Sequence, residues 1–188
     1  MEVMQDAVDV TLDPETAHDY LILSADGKRV KHGDTSQNRP DNPKRFDQVV
    51  SVLGKGFTMS KRYYEVQVSR KTSWVLGVDR QSINRKGPIV LTPTNGYWAM
   101  WLMNNQYKAL DDPPVTLSLK DKPERVGVFV DYGAGLVSFY DADRWSLIYS
   151  YKGVIFKEII YPYFSPSTND KGKNSAPLVI APFYDTGH

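Results

Sequence analysis

The chain has 188 residues, of which 41% are apolar and 12% aromatic, so it can form one globular domain with a sizeable core rather than a disordered tail. It has no cysteine, which excludes disulfides, thiolate metal sites, iron–sulfur clusters and a cysteine nucleophile. The net charge of +1 provides no overall field that would attract nucleic acid or an acidic membrane.

Charge is distributed unevenly along the chain. The first 27 residues carry seven acidic and no Lys or Arg side chains, whereas residues 28–86 carry 14 basic and five acidic ones. We interpret this as segments that neutralise each other in the fold. No window approaches the roughly 18 apolar residues of a membrane span, and the opening stretch is acidic where a signal peptide is basic. The sequence therefore predicts a soluble, cytoplasmic protein with no membrane span and no nucleic-acid partner.

The first predicted elements are a helical turn and a hairpin. Asp13 followed by Pro14 is typical of a helix start, so a short N-terminal helical turn is expected there. Residues 20–24 and 28–30 flank Asp26-Gly27, a pair that favours a type I′ turn between two antiparallel strands.

The remaining predicted elements are short strands. Residues 63–68 and 73–78 predict a second hairpin, and residues 125–131 and 136–140 a third, joined through two glycines. Further strands are expected at residues 146–151, 161–164 and 177–181. No amphipathic helix separates them, so the pattern predicts an all-β antiparallel sandwich. Recognition is expected in its long polar loops, at residues 31–45, 80–96, 104–114 and 165–176.

A search for catalytic or metal-binding motifs finds none. His18, His32 and His188 lack metal-ligand spacing and are predicted to be exposed loop or terminal residues. No nucleophile elbow or phosphate-binding loop occurs. We therefore predict no catalytic residue, no cofactor and no metal. The acidic pairs Asp111-Asp112 and Asp141/Asp143 leave open a glycan-processing enzyme or a lectin, although solvated loops explain them as well.

Residues 96–103 form an aromatic run whose two faces are both apolar. Alternation places Trp98, Met100 and Leu102 on one face, and Tyr97, Ala99, Trp101 and Met103 on the other. One face must fill the core, and we expect loops to cover Tyr97. Trp101 and Met103 precede the polar residues 104–107, and an apolar patch bounded by amides is typical of a protein-binding pocket.

Eleven segments in order along the chain resemble the PRY-SPRY (B30.2) domain. They include LDPETA at residues 12–17, YYEV at 63–66, WVLGV at 74–78, GYW at 96–98, VGVFVDY at 126–132 and YPYF at 161–164. The sequence is most similar to the C-terminal domain of tripartite-motif ubiquitin ligases, and butyrophilins carry a related version. One departure is Asp79, which stands where many members have cysteine.

The resemblance implies a bent, concanavalin-like jelly-roll sandwich of two sheets, with a PRY segment at residues 8–56 and a SPRY segment at residues 57–184. It implies a non-catalytic module that selects a protein target, in innate immunity, while an absent RING domain performs the ubiquitin chemistry. The start of the sequence suggests an excised domain. We expect the isolated domain to be monomeric and the parent protein to dimerise through a coiled coil.

The resemblance also implies which residues contact the target through the variable loops. The predicted set is Arg80, Gln81, Trp101, Met103, Tyr107, Thr168, Asn169 and Asp170. The antibody-binding family member has tryptophan in place of Met103, phenylalanine in place of Thr168 and an acid in place of Gln81. These departures argue against binding of antibody Fc.

An alternative function is a butyrophilin-like sensor of a small phosphorylated ligand. The basic middle third of the chain suggests it, and its candidate contacts are Arg80, Arg85, Lys86 and His32.

Overall fold

The computed structural model describes residues 6–182, which form two stacked antiparallel sheets of seven strands each. The strands are β1 (Leu12–Asp13), β2 (Leu21–Leu23), β3 (Arg29–His32), β4 (Val52–Gly54), β5 (Lys61–Gln67), β6 (Trp74–Arg80), β7 (Tyr97–Met103), β8 (Gln106–Ala109), β9 (Val115–Leu117), β10 (Arg125–Asp131), β11 (Leu136–Asp141), β12 (Ser146–Tyr151), β13 (Ile160–Ser165) and β14 (Leu178–Ile180). The predicted all-β sandwich is confirmed. No helix among residues 6–182 is long and apolar enough to span a membrane.

Strand order within each sheet shows that half of the neighbouring strand pairs are not consecutive in sequence. The first sheet runs β1-β4-β13-β6-β7-β8-β9, and the second runs β12-β11-β10-β5-β14-β3-β2. The core lies between them and receives alternate residues of almost every strand. Two tyrosine hydroxyls also connect the sheets, because Tyr64 donates to the Gly77 carbonyl at 2.9 Å and Tyr151 to the Ala99 carbonyl at 2.6 Å.

Two of the three predicted hairpins are confirmed. β10 and β11 pair from Val126 with Asp141 to Asp131 with Leu136, and β2 pairs with β3. The predicted type I′ turn of the β2–β3 hairpin is wrong. Gly27 has φ +71° but Asp26 has no positive φ, and a type I′ turn requires both. The Gly27 amide instead donates to the Ser24 carbonyl in a longer loop.

The predicted hairpin of residues 63–68 and 73–78 is wrong. β5 lies in the second sheet between β10 and β14, whereas β6 lies in the first sheet between β13 and β7. The chain therefore crosses from one sheet to the other through residues 68–73. A hairpin and two strands of facing sheets have the same local pattern of alternating apolar residues, so the sequence could not distinguish them.

Residues 13–17 form the short turn expected there, with the Thr16 amide donating to the Asp13 carbonyl and the Ala17 amide to the Pro14 carbonyl. The loop at residues 104–114 differs from expectation. Residues 104–114 contain strand β8 and the turn before β9. The chain therefore reverses twice beside β7 and widens the first sheet.

Candidate functional site

Strand β7 alternates as the sequence predicts. Trp98, Met100 and Leu102 point into the core between the sheets. The other face of β7 belongs to a second apolar cluster on the outside of the first sheet, which includes Tyr97, Ala99 and Trp101.

Other parts of the chain cover one end of the second cluster completely, whereas the other end is partly exposed. Tyr97 is buried and packs edge-on against Tyr163 at 5.5 Å between ring centroids, beneath Ile83 and Ile89. The expectation that loops cover Tyr97 is confirmed. Trp101 is only partly buried at the edge of the same cluster. One face of the first sheet therefore changes along β7 from closed core to partly accessible surface.

A tight turn places the end of β7 at a rim of the sandwich. Asn104 and Asn105 have φ of 51° and 61°, as a type I′ turn requires, and asparagine tolerates this conformation better than most residues. The following strand returns beside β7 and pairs Lys108 with Trp101. On its other side Trp101 pairs with Val75 of β6. The indole thus lies between an apolar and a basic side chain on the outer face.

A cavity of about 470 Å³ opens at this rim, between the β7–β8 turn and the loop after β13. We call it the rim pocket, and it is lined by Thr72, Ser73, Met103, Asn104, Asn105, Thr168, Asp170, Lys173 and Asn174. Met103, Thr168 and Asp170 of the predicted set line it. Trp101 lies two residues before Met103 on the same strand face, about 7 Å away along the strand. Met103, Thr168 and Asp170 therefore share the rim pocket, and Trp101 precedes Met103 on the outer face of the same strand.

Asn169 and Tyr107 are placed differently from these four. The Asn169 amide group donates to Asp34 at 2.5 Å and to the His32 carbonyl at 3.5 Å, so it ties the loop to the end of β3. Tyr107 pairs with Leu102 and points toward the core, where its ring lies 6.3 Å from that of Trp74. Burial raises the pKa of the Tyr107 hydroxyl.

Arg80 and Gln81 lie at the opposite end of β6 from the rim pocket. Six residues separate Trp74 from Arg80 along the strand, which corresponds to about 20 Å. Arg80 lines a separate cavity with Asn84, Val90 and Tyr97, and Gln81 lines another with Lys44 and Arg85. The structure therefore does not bring all eight predicted residues into one pocket.

The four basic residues of the alternative sensor do not share one cavity, and Arg85 and Lys86 already have contacts within the protein. Arg85 donates to the Lys44 carbonyl at 2.8 Å and lies over the rings of Phe46 and Tyr161. Lys86 forms an ion pair with Asp41 at 2.8 Å. His32 lies on β3 of the second sheet and does not line the cavity that Arg85 and Lys86 share. The structure therefore does not bring the four candidate contacts into one site.

Within the described residues, the histidines and the acidic pairs do not form a metal site. His18 and His32 are partly buried rather than exposed as predicted, and burial lowers the pKa of both. His188 lies outside the described residues. Within residues 6–182, no group of three or more His, Asp or Glu side chains could hold a metal.

The paired carboxylates that suggested a glycan-processing enzyme are likewise in use. Asp111 accepts from the Tyr149 hydroxyl, Asp141 pairs with Arg144, and Asp143 pairs with Arg125. Each carboxylate serves a local hydrogen bond or ion pair.

Comparison with known families agrees with this architecture. The SPRY domain model matches residues 61–179, and the SPRY-associated domain model, PRY, matches residues 10–56. The chain belongs to the SPRY family. It is a PRY-SPRY domain of the type found in TRIM proteins, a non-catalytic module that binds protein targets.

Several curated proteins are similar to this PRY-SPRY chain. "Nuclear factor 7, brain" of Xenopus laevis is 49% identical over 169 residues, which cover 89% of this chain and 28% of that protein. Human pyrin is 47% identical over 178 residues, covering 94% and 23%. The mouse E3 ubiquitin-protein ligase TRIM21 is 44% identical over 177 residues, covering 93% and 38%. The chain thus corresponds to well under half the length of each relative.

Solved structures share the fold. The TRIM65 PSpry domain superposes with a TM-score of 0.82 at 22% identity, covering 96% of this chain and 93% of that one. Stonustoxin superposes with a TM-score of 0.80 at 25% identity, covering 94% of this chain but 29% of that one.

Sequence reasoning missed several residues at and around the rim. Val75 and Lys108 flank Trp101 through strand pairing, and the Asn104-Asn105 turn was the local signal that could have revealed Lys108. Lys71 and Asn174 lie behind the loop that carries Thr168 and Asp170, and no local pattern marks them.

Proposed function

We propose that this PRY-SPRY domain selects the target of a TRIM-type E3 ubiquitin ligase, in the cytoplasm and in innate immunity, through the rim pocket. The isolated domain acts as a monomer, and its parent protein dimerises through a coiled coil. The ubiquitin chemistry belongs to a RING domain outside this chain.

One observation carries the proposal. Trp101 and Met103 lie on the outer face of the first sheet, only partly buried, beside a pocket whose other wall is polar. Tryptophan anchors surrounded by polar residues are typical of the energetic centre of a protein interface. Relatives that include mouse TRIM21, an E3 ubiquitin-protein ligase, support the link to ubiquitin transfer.

The test uses peptides selected from a random library on the wild-type domain. Trp101→Ala should weaken the selected peptides by about 30-fold or more, which corresponds to the roughly 2 kcal/mol of a hot spot. Calorimetry measures the affinity, and a thermal melt shows that the variant is folded.

Leu147→Ala is the matched control, because Leu147 is 57% exposed on β12 of the other sheet. Its affinity should stay within about twofold of wild type. A folded Trp101→Ala variant that binds the peptides as tightly as wild type contradicts the proposed site.

The ligase role needs a separate measurement. The domain, fused to the RING and coiled coil of a TRIM relative, should transfer ubiquitin to a protein carrying the selected peptide. Trp101→Ala should abolish this transfer, and equal transfer by both fusions contradicts target selection through the rim pocket.

A further inference from the structure

The loop of residues 166–176, which carries Thr168 and Asp170 into the rim pocket, has an unusual backbone. Ser167, Asp170 and Lys171 are non-glycine residues with φ of 57°, 49° and 54°, and Gly172 has φ +91°. Left-handed conformations are unfavourable for L-residues and persist where the surrounding structure holds them. The contacts behind the loop therefore decide its shape.

Asn174 provides the first of these contacts and is 2% exposed. Its side-chain oxygen accepts from the amides of Thr72 and Ser73 at 2.8 and 3.3 Å. Its nitrogen donates to the carbonyls of Ser73, Pro166 and Thr168 at 3.0, 3.1 and 2.9 Å. One buried amide side chain thus joins both ends of the loop to the segment before β6.

Lys71 provides the second contact, and it is fully buried with 0% exposure. Its ammonium donates to the Ala176 carbonyl at 2.9 Å and to the Asn174 carbonyl at 3.4 Å. It takes part in none of the ion pairs found within residues 6–182. Burying an ammonium group that has only carbonyl partners costs free energy. The place of the Lys71 ammonium at the end of the loop is therefore unexpected for a residue that only fills space.

We propose that Asn174 and Lys71 are positioning residues of the recognition site, which hold the loop in the conformation that presents Thr168 and Asp170. The inference rests on the proposed function, because this loop forms one wall of the rim pocket. It assigns an effect on specificity to two buried residues, which act through the shape of the loop.

Protonation of Lys71 gives the arrangement a measurable signature. Burial lowers the pKa of Lys71 to about 8, whereas water restores an ordinary value near 10.4 when the loop opens. The closed loop therefore binds fewer protons than the open loop between these values. The population of the open loop should fall as pH rises from 8 to about 10.4, by up to about two orders of magnitude. Below pH 8, Lys71 is protonated in both states, so its protonation should not affect opening.

The charged groups around Lys71 do not produce the same signature. His32 lies near Lys71 at the end of β3, Asp34 accepts from Asn169, and Asp170, Lys171 and Lys173 belong to the loop. Burial lowers the pKa of His32, and the Lys71 charge lowers it further, so His32 is neutral throughout this range. Lys171 and Lys173 are exposed and remain present in a Lys71→Met variant, which separates their titration from that of Lys71.

The absence of cysteine allows a single probe on the loop. Thr168→Cys labelled with a trifluoromethyl group reports loop opening by ¹⁹F NMR, and Ser118→Cys, exposed elsewhere on the surface, is the control label. The minor, open-state signal at position 168 should fall as pH rises from 8 to 10. In the Lys71→Met background it should be independent of pH, and the signal at position 118 should be unaffected in both backgrounds. A Lys71→Met protein that keeps the wild-type pH profile overturns the role of Lys71.

Asn174→Ala tests the other residue. The open-state signal should become dominant at every pH while the thermal melt remains cooperative, and the selected peptides should bind at least tenfold more weakly. An unchanged ¹⁹F spectrum overturns the role of Asn174. If the alanine variant does not fold, Asn174→Asp, which keeps the shape and removes the donors, provides the same readout.

The NMR experiment needs no target, so its outcome is independent of the proposed function. Failure of the function itself is shown by Trp101→Ala binding the peptides normally, whatever the loop does.

Discussion

Asp79 is a buried carboxyl whose replacement should stabilise the domain. It lies on the outer face of the first sheet, paired with Tyr97 on one side and Tyr161 on the other. Its side chain is 0% exposed, and neither carboxyl oxygen has a hydrogen-bond partner within the described part of the chain. Burial raises the pKa of Asp79 well above its usual range, and the charge of Arg85 opposes this only in part.

The expected gain in folding stability on replacing Asp79 has two parts. A buried polar group without a partner costs about 1–3 kcal/mol, and cysteine fills a similar space as a small apolar residue. The second part depends on pH, because the folded state keeps the Asp79 proton where the unfolded chain has lost it. Stability of the wild type should therefore fall by about 1.4 kcal/mol per pH unit, from about pH 4 up to the raised folded-state pKa.

Denaturant unfolding at pH 4.5, 6 and 7.5, with reductant present, measures both parts. Asp79→Cys should be more stable than wild type at pH 7.5, and the difference should narrow toward pH 4.5. Asp79→Asn keeps the shape and polarity of the side chain but cannot ionise. It should therefore remove only the pH-dependent part of the destabilisation that Asp79 causes. A difference that is the same at every pH, or a cysteine variant less stable than wild type, refutes the reasoning.

Two further substitutions test the packing that supports the rim. Gly77→Ala should destabilise the fold by about 1–3 kcal/mol, because a Cβ there would lie 2.2 Å from the Trp98 carbonyl oxygen. A Cβ at Gly133 would meet only Asp131 Oδ1, at an ordinary contact distance of 3.9 Å, so Gly133→Ala should change the unfolding free energy by less than about 0.5 kcal/mol. A thermal melt that does not separate these two variants contradicts the close approach at Gly77. Tyr151→Phe should cost about 1 kcal/mol, or about 2–4 °C in Tm, because it removes the hydroxyl that donates to the Ala99 carbonyl across the sheets, and an unchanged Tm contradicts that contribution.

Prediction from sequence succeeded where the determining contacts are local. The β10–β11 hairpin needs only two alternating segments and a glycine-containing turn, and it formed as expected. The hairpin predicted from residues 63–68 and 73–78 did not form, because pairing of β5 with β10 and of β6 with β13 involves partners 58–90 residues away. Loop closure over such distances leaves no signature in a short window.

The same distinction applies to the candidate site. Alternation along β7 was sufficient to predict that Trp101 and Met103 share the outer face. It could not show that Tyr107 turns inward or that Arg80 lies about 20 Å from Met103. Those facts depend on strand register and on which end of β6 meets the rim.

The sequence by itself determined that the domain is an all-β sandwich without cysteine chemistry. It also determined that one strand has two apolar faces, and which residues match the family pattern. Only the tertiary structure decided which residues meet. It brought Lys71 and Asn174, more than 100 positions apart, behind one loop and left Asp79 buried between two tyrosines. Periodicity is a property of neighbouring residues, whereas burial and hydrogen bonding of a side chain depend on elements that arrive from elsewhere in the chain.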